Sequence, residues 1–246
     1  MSDQGDGYFD ETVAARYDDS EGEHFDPEVI AATANFLAGL AGGGRVMEFA
    51  IGTGRIAIPL SQRGVPVWGI ELSRAMAGRL EDKPEARDIE VAIGDMATTR
   101  VEGEFSLVYL VFNTIMNLTS QDDQVACFQN AAAHLSPGGR FVVEVGVPGL
   151  QRLPEGERLL AFHHSDDRWG IDEYDVVTQS LRSHHLAFGE GQVETLSVPF
   201  RYVWPPELDL MARLAGMVLE DRFGGWDRAP FTGDSRSHVS VWVKPG

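Results

Sequence analysis

The sequence predicts an α/β fold with a doubly wound, mostly parallel sheet and an antiparallel β insertion. Between residues 41 and 146, apolar runs of strand length alternate with segments of helical periodicity, which favours parallel strands joined by helices. After about residue 147, strands follow one another without intervening helices, which favours antiparallel pairing. A chain of 246 residues is expected to form one domain of this class.

The N-terminal segment is expected to form a lid followed by a helix. Residues 1–28 contain ten acidic residues and the single base Arg16 around Tyr8, Phe9 and Tyr17, which are expected to cover a ligand or pack on the domain. Asp26, Pro27 and Glu28 then provide a helix start, and glycines 42–44 end this helix. The predicted parts are a lid and helix (1–40), a ligand-binding core (41–146), an antiparallel insertion (147–204) and closing elements (205–246).

A glycine loop organises the predicted core. An apolar strand, 46–49, leads through Gly52 and Gly54 into a helix at about 56–62. Glycine lets the backbone approach a ligand closely, and a helix start offers unpaired N–H groups. A second apolar run ends at Glu71, 17 residues after Gly54, where an acid at a strand tip can accept both ribose hydroxyls. The stretch therefore predicts a nucleotide-type ligand.

The remaining elements follow from strand patterns, caps and glycine stops. Ser73 and Ser120 are expected to cap helices, and Pro137 to Gly139 to end the second of these. The further strands of the core are expected at 89–93, 105–112 and 140–145. In the insertion, strands are expected at 159–164, 171–183, 184–188 and 192–203, followed by a helix at 205–216 and strands at 217–222 and 238–243.

Composition and charge exclude several classes of function. The net charge of −18 provides no basic face for a nucleic acid, and the apolar runs fall short of the ~20 residues that span a bilayer. The N-terminus has no apolar segment of a secretory signal, and the single Cys127 pairs with nothing inside the chain. Cys/His metal spacing is missing as well. We therefore expect a cytoplasmic protein that binds a small molecule, without a metal, nucleic acid or membrane, and the insertion sheet offers an edge for a homodimer.

Four motifs in order resemble the class I S-adenosylmethionine-dependent methyltransferases. They are 48–54, 71–73, 94–96 and 135–144. The resemblance covers roughly residues 8–146, and the spacing from Tyr8 to Tyr17 is similar to the lid of small-molecule members, including antibiotic amino-sugar N-methyltransferases. It implies a seven-stranded Rossmann-like sheet whose last strand is antiparallel. It also implies S-adenosylmethionine as the methyl donor and S-adenosylhomocysteine as the product.

The resemblance also implies a role for each matching position. The loop at Gly52 and Gly54 would pass the methionine part, Glu48 would hold its amino group, and Glu71 would take the ribose hydroxyls. The adenine would lie among Leu72, Asp95 and Met96, and Asn113 would border the sulfonium and the acceptor. The complete predicted cofactor set is Tyr8, Tyr17, Glu48, Ala50, Gly52, Gly54, Glu71, Leu72, Asp95, Met96, Phe112 and Asn113.

A sulfonium methyl group is already electrophilic, so alignment and exclusion of water are expected to carry most of the catalysis. If the nucleophile is an alcohol or phenol, a nearby base would help by ~10²–10⁴-fold. The catalytic candidates are Asn113, as an amide that orients the acceptor, and His163 and His164 in the insertion. The pair His184 and His185 lies in the same wall, and any single histidine here is more commonly an ordinary strand residue.

Two other functions compete with methyl transfer. Gly52, Gly54 and Ala57 also match the dinucleotide fingerprint of NAD(P)-dependent oxidoreductases. An acid ahead of the glycine loop, where a pyrophosphate would be repelled, argues against that function. The other alternative is an inactive cofactor-binding module, which a filled acceptor cavity would favour.

Overall fold

Two sheets form the framework of the protein. A computed structural model describes residues 8–19, 23–189 and 192–246, so residues 1–7 and 20–22 of the predicted lid lie outside the described part. The strands are β1 (Val46–Phe49), β2 (Val67–Glu71), β3 (Glu90–Ile93), β4 (Phe105–Leu110), β5 (Leu135–Gly146), β6 (Leu159–His164), β7 (Arg168–Asp175), β8 (Ser180–Gly189), β9 (Gln192–Arg201), β10 (Val218–Phe223) and β11 (Ser237–Val243). The helices are α1 (Glu11–Ala14), α2 (Pro27–Ala41), α3 (Ala57–Ser61), α4 (Arg74–Glu81), α5 (Gln121–His134) and α6 (Pro205–Leu214).

The larger sheet has seven strands in the order β10-β11-β5-β4-β1-β2-β3. Strands β1 to β5 pair in parallel, and β11 is antiparallel to both β5 and β10. The predicted Rossmann-like sheet with an antiparallel last strand is therefore confirmed. Its order reverses between β1 and β4, which places a ligand crevice at the carboxyl ends of these strands.

Helices cover both faces of this sheet. On one face, α2, α3 and α4 bury Leu37, Leu60 and Leu80 in an apolar cluster. On the other face, α5 and α6 bury Phe128 and Leu208 in a second cluster. Since successive residues of a strand point to opposite faces, both faces of β1 are buried and all four of its residues are inaccessible. Among the described residues, none of the helices is long and apolar enough to cross a membrane.

The predicted caps start the helices where expected. The Asp26 side chain accepts from the Glu28 N–H at 2.8 Å, with Pro27 at the first helical position. Ser73 accepts from the Met76 N–H, and Ser120 caps α5 in the same way. Each cap satisfies an N–H group that has no partner within its own helix.

Strand β5 begins earlier than predicted. The sequence predicts a start at Arg140, because Pro137 to Gly139 look like a helix stop, but the strand begins at Leu135 directly after α5. Leu135 pairs with Phe105 of β4, and the register shifts before the regular ladder begins. Gly138 donates to the Lys244 carbonyl at 2.8 Å, so this irregular stretch is held by neighbours on both sides.

The insertion forms a four-stranded antiparallel sheet in the order β6-β7-β8-β9. The predicted antiparallel insertion is confirmed, but the predicted boundary between its second and third strands was wrong. The turn lies at 176–179 rather than at 183–184, and Val177 is 88% exposed. Asp175 accepts from the Val177 N–H at 2.9 Å, and Gln179 has a φ of 57°. This turn is made by an Asp side chain and contains β-branched residues, so its composition resembles that of a strand.

One buried arginine fixes the insertion to the core. Arg201, at the end of β9, is 4% exposed and donates to Glu207 of α6 at 2.7 Å. It also donates to Gln179 in the β7–β8 turn and to Gln124 of α5. Burial favours a higher pKa for Glu207, but hydrogen bonds from Gln179, Arg201 and Gln121 outweigh it and lower that pKa. This network sets the position of the insertion sheet above the carboxyl edge of the core.

Candidate active site

A first cavity of about 480 Å³ lies at the carboxyl ends of β1, β2 and β3. The strand tips form its floor, the N-terminal segment and the loop after β4 form its sides, and β9 closes it. The lining residues are Tyr8, Phe9, Tyr17, Ala50, Gly52, Ile70, Glu71, Leu72, Ser73, Met76, Gly94, Asp95, Met96, Thr114, Asn117, Leu118, Thr119, Asp123, Val198 and Pro199. Three strand tips thus converge on a single cavity, as the doubly wound topology predicts.

The structure places the predicted cofactor residues in three groups. The lining of the first cavity contains Tyr8, Tyr17, Ala50, Gly52, Glu71, Leu72, Asp95 and Met96. Phe112 and Asn113 line a neighbouring second cavity. Glu48 and Gly54, which are among the described residues, belong to neither lining. Ten of the twelve predicted cofactor residues therefore line one of the two cavities, and Glu48 and Gly54 lie outside both linings.

The glycine loop turns through three left-handed positions. Ala50, Gly52 and Gly54 have φ values of 52°, 59° and 83°. Ala50 is strained there, because its Cβ disfavours positive φ, and such strain is common at ligand-binding loops. A Cβ on Gly54 would lie 2.3 Å from Leu80 Cδ1. Gly54 is thus required by its backbone angle and by the packing of α4, not by a wall of the cavity.

Glu71 joins the glycine loop to the start of α4. Its Oε2 accepts from the Gly52 N–H and its Oε1 from the Ser73 N–H, both at 2.8 Å. The residue is 6% exposed and lies in the wall of the first cavity. The acid that the sequence singled out is therefore held rigidly at the tip of β2, where it faces the cavity and fixes the loop beside it.

Glu48 lies beneath the loop, on the face of β1 covered by α2 and α3. Its Oε2 accepts from the Tyr109 hydroxyl at 2.7 Å, and it is 4% exposed. Burial raises the pKa of Glu48 to about 8, although the bond from Tyr109 and the charge of Arg55 act in the opposite direction. Glu48 lies outside both cavity linings, and its predicted contact with the amino group of the methionine part stays a prediction.

The N-terminal segment is closed over the first cavity by aromatic contacts and by polar contacts, including the ion pairs Glu11–Arg79 and Asp18–Lys83. The rings of Phe9 and Tyr17 lie 6.2 Å apart, and both line the cavity. Next to Tyr17, Asp18 accepts from Thr53 Oγ1 at 2.5 Å and pairs with Lys83 Nζ at 2.6 Å. Lys83 Nζ also donates to the Thr53 carbonyl at 2.7 Å. Asp18, Thr53 and Lys83, here named the Asp18 latch, tie the lid to the glycine loop.

A second cavity of about 770 Å³ adjoins the first. The two share walls formed by Tyr8, Phe9, Tyr17, Thr114, Asn117 and Val198. The remaining lining of the second cavity comes from the N-terminal segment, the end of β4 and the insertion: Thr12, Val13, Arg16, Phe25, Phe112, Asn113, Arg168, His185, Leu186, Ala187, Glu194, Thr195, Leu196 and Phe200. The site thus offers two adjacent compartments divided by lid residues and the loop after β4.

The loop after β4 is a rigid part of that division. Phe112 and Asn113 have consecutive positive φ values of 62° and 59°, so β4 ends at Leu110, earlier than predicted. The Phe112 N–H donates to Glu144 Oε2 at 2.6 Å, and Asn113 Oδ1 accepts from the Gly146 N–H at 2.6 Å. The Asn113 oxygen is therefore engaged with β5, and its amide N–H₂ is the end that could meet an acceptor molecule.

The structure does not bring His163 and His164 to the site. Both are exposed on β6, the outer strand of the insertion sheet, and neither belongs to the lining of either cavity. His163 contacts Ser165 Oγ at 3.2 Å, and the His164 ring lies 5.1 Å from Trp169. Of the two histidine pairs in the insertion, the second supplies a cavity residue, His185. Alternation along β8 indicates that one member of that pair faces inward, but choosing it requires the register of the insertion.

Comparison with known proteins agrees with this geometry. The family model described as "Methyltransferase domain" matches residues 46–139. The structure of the CcbJ methyltransferase from Streptomyces caelestis is similar, with a TM-score of 0.85 and 34% identity over 95% of this chain and 96% of that chain. The cypemycin N-terminal methyltransferase from a Streptomyces species is 27% identical over 81% of this chain and 82% of its own length.

A more distant structure shares the fold. CalS10, an amino pentose methyltransferase from Micromonospora echinaspora, has a TM-score of 0.69 and 21% identity over 96% of this chain and 98% of that chain. The glycine loop, the acid at the tip of β2, the seven-stranded sheet and the similarity to CcbJ along nearly the whole chain lead to one conclusion. The chain belongs to the S-adenosylmethionine-dependent methyltransferases.

Proposed function

We propose that this enzyme methylates an amine nitrogen of a small natural-product-like metabolite. The observation that carries the proposal is the second cavity of about 770 Å³, which shares a wall with the first and is enclosed by the lid and the insertion. A compartment of that size falls in the range of small-molecule sites. The relatives support a nitrogen acceptor, since one is named as an N-terminal and one as an amino pentose methyltransferase.

In this proposal the first cavity holds S-adenosylmethionine. Glu71 would accept from the ribose hydroxyls, Leu72 would flank the adenine, and Asp95 with Met96 would cover the adenine edge. The lining of the first cavity fits such a molecule. The carboxylates at the tips of β2 and β3 can accept hydrogen bonds from its hydroxyl and amino groups, and apolar side chains lie between them. The Gly52 backbone, which lines the cavity, would pass the methionine part.

The bound S-adenosylmethionine supplies a methyl group that is already electrophilic. What remains for this chain is to align the acceptor, to exclude water and to handle one proton. Tyr8 and Tyr17 lie in the wall between the cavities, and burial raises the pKa of Tyr17 to about 12, partly opposed by the charge of Arg55. Tyr17 therefore remains a neutral phenol and a hydrogen-bond donor at physiological pH.

Charge supports a small acceptor over a nucleic acid. The chain has a net charge of −18, and a polyanion would be repelled over most of its surface. A neutral or cationic amine is not repelled. The rings of Phe25 and Phe112, 5.8 Å apart, give the second cavity an apolar wall that suits the carbon skeleton of a metabolite.

The first experiment tests the donor. Isothermal titration with S-adenosylmethionine, S-adenosylhomocysteine and NADPH is expected to show micromolar binding of the two sulfur compounds and none of NADPH. Glu71→Ala is expected to weaken that binding at least tenfold, because a buried carboxylate facing hydroxyl groups is removed. Leu210→Ala, at an exposed position of α6, serves as the matched control. NADPH binding alone would overturn the assignment.

The second experiment tests the acceptor atom. Paired acceptors that differ only in the nucleophile, glucosamine against glucose and alanyl-alanine against lactyl-alanine, are incubated with S-adenosylmethionine. The proposal expects S-adenosylhomocysteine release and a product 14 Da heavier (roughly one methylene) with an amine only. Turnover of the alcohols with equal efficiency would exclude a nitrogen-specific enzyme.

A further inference from the structure

His185 lies on the inward face of the insertion sheet. It pairs with Leu196 across the β8–β9 ladder, and Ser183 pairs with Val198 on the same face. Both partners line the second cavity, as His185 does. The neighbouring His184 points to the opposite face, where its Nδ1 contacts Ser197 Oγ at 2.7 Å. The strand therefore presents one histidine to the cavity and one to the outside.

The Ser183 hydroxyl and the Asp172 carboxyl lie on the same face of the insertion sheet as the His185 ring. Its Nε2 lies 3.3 Å from Ser183 Oγ. Ser183 is directly opposite Asp172 in the β7–β8 ladder, so the two side chains lie on the same face; burial raises the pKa of Asp172, and its interaction with Ser183 opposes that rise. A carboxylate only accepts, so when Ser183 donates to Asp172, the ring Nε2–H is the group that donates to Ser183. This ordering leaves the lone pair of the ring on Nδ1.

The surroundings keep the ring neutral. Burial lowers the pKa of His185, and the charges of Arg168 and His184 lower it further. The charged residues that line the second cavity beside His185 are Arg168 from β7, Glu194 from β9 and Arg16 from the N-terminal segment. Asp172 of β7 lies across the ladder from Ser183, outside the lining. A neutral imidazole with an oriented tautomer can accept a proton at physiological pH.

We propose that His185, oriented by Ser183 and Asp172, is the general base that takes the proton of the acceptor nitrogen. The acceptor nitrogen forms a bond to the methyl carbon as the carbon–sulfur bond breaks and its electron pair passes to sulfur. The N–H proton passes to Nδ1 of His185 and from there to solvent at the open side of the second cavity. This inference rests on the proposed function, because it requires an acceptor with a hydrogen to lose.

The kinetic test compares His185→Gln with His184→Gln, using the amine of the panel above that shows the highest kcat/KM. His185→Gln is expected to lower kcat about 10²-fold, a common contribution of a general base, with S-adenosylhomocysteine affinity unchanged. The rise of wild-type kcat with pH through the His185 titration is lost in this variant. His184→Gln removes a charge that lowers the pKa of His185, so it is expected to shift the profile but to retain wild-type kcat on the alkaline plateau. An unchanged kcat in His185→Gln would overturn the proposal.

A second test needs no acceptor. NMR of the wild-type protein with ¹⁵N-labelled histidine follows the His185 ring during a pH titration. Ser183→Ala and Asp172→Asn are expected to lower the pKa of His185, because each removes support for the protonated ring. Ser197→Ala, which removes the partner of His184, leaves the His185 titration unchanged. A His185 pKa that is the same in all variants would refute the relay. Failure of the whole amine panel would refute the proposed function alone, and the NMR result would still decide the relay.

Discussion

The most quantitative prediction concerns Glu48, whose carboxyl is buried against Tyr109. Its pKa is raised from 4.5 to about 8 by burial. Below pH 4.5 the folded and unfolded chains both carry the proton, so folding is not penalised. Between pH 4.5 and 8 the unfolded chain loses this proton while the folded chain keeps it, and the free energy of unfolding falls as pH rises. At about 1.4 kcal/mol for each pKa unit, the full penalty above pH 8 is about 5 kcal/mol.

Glu48→Gln removes this penalty while retaining a side chain that can bond the Tyr109 hydroxyl. Urea unfolding at a series of pH values measures the difference in free energy of unfolding between the two proteins. From pH 5 to pH 8 that difference is expected to grow by about 4 kcal/mol in favour of the variant, whatever constant offset the substitution introduces. The variant should therefore be relatively most stable under alkaline conditions.

Two results would refute this reasoning. A difference that stays constant with pH would show that Glu48 is ionised in the folded chain, with its charge compensated by Arg55. A loss of S-adenosylhomocysteine affinity of more than about tenfold at pH 7 would show that Glu48 contacts the methionine part after all. The position beneath the glycine loop predicts an affinity within about twofold of wild type, since the side chain lies outside both cavity linings.

Three further outcomes follow from the geometry. Asp18→Asn is expected to weaken S-adenosylhomocysteine binding about fivefold, because the partly exposed Asp18 latch contributes about 1 kcal/mol. The same variant is expected to show faster amide hydrogen exchange in residues 8–19, and unchanged exchange would show that the latch does not hold the lid. Gly54→Ala is expected to lower the free energy of unfolding in urea by about 3 kcal/mol, because the φ of 83° strains an alanine and its Cβ overlaps Leu80. The control Gly64→Ala has a φ of 80° but open space around the new Cβ, so it is expected to cost only about 1 kcal/mol. Equal losses in the two variants would show that the overlap with Leu80 contributes nothing. Burial lowers the pKa of His238 to about 4. Between pH 6.5 and 4 the unfolded chain therefore binds a proton that the folded chain does not, and the free energy of unfolding of the wild type is expected to fall by about 3 kcal/mol. In His238→Asn, urea unfolding across this pH range is expected to show a decrease smaller by that amount.

The elements that the sequence predicted well are those set by local rules. Asp26, Ser73 and Ser120 cap helices because a side-chain oxygen three residues or fewer from an unpaired N–H needs no distant partner. The β7–β8 turn was missed because its geometry depends on Asp175 and on a left-handed Gln179, not on a glycine or proline. Because the boundary between β7 and β8 was placed wrongly, the sequence could not show which histidine of the insertion faces the cavity.

The site divides in the same way. The positions of Glu71 and Asp95 at the cavity follow from strand length and topology, because a strand tip in a parallel sheet always faces the carboxyl edge. The positions of Glu48 and His185 do not, because they depend on which face of a strand is covered and on how the insertion pairs.

The sequence alone thus determined the doubly wound core, the family resemblance, the donor molecule and most of the first cavity, because periodicity, caps and glycine spacing are properties of neighbouring residues. The tertiary structure decided that Glu48 is a buried acid, that Gly54 packs against Leu80, and that His185 faces the second cavity while His163 and His164 face solvent. These outcomes depend on contacts between residues far apart in the chain. The same strand residue becomes a core group, a cavity wall or a surface group according to what packs against it.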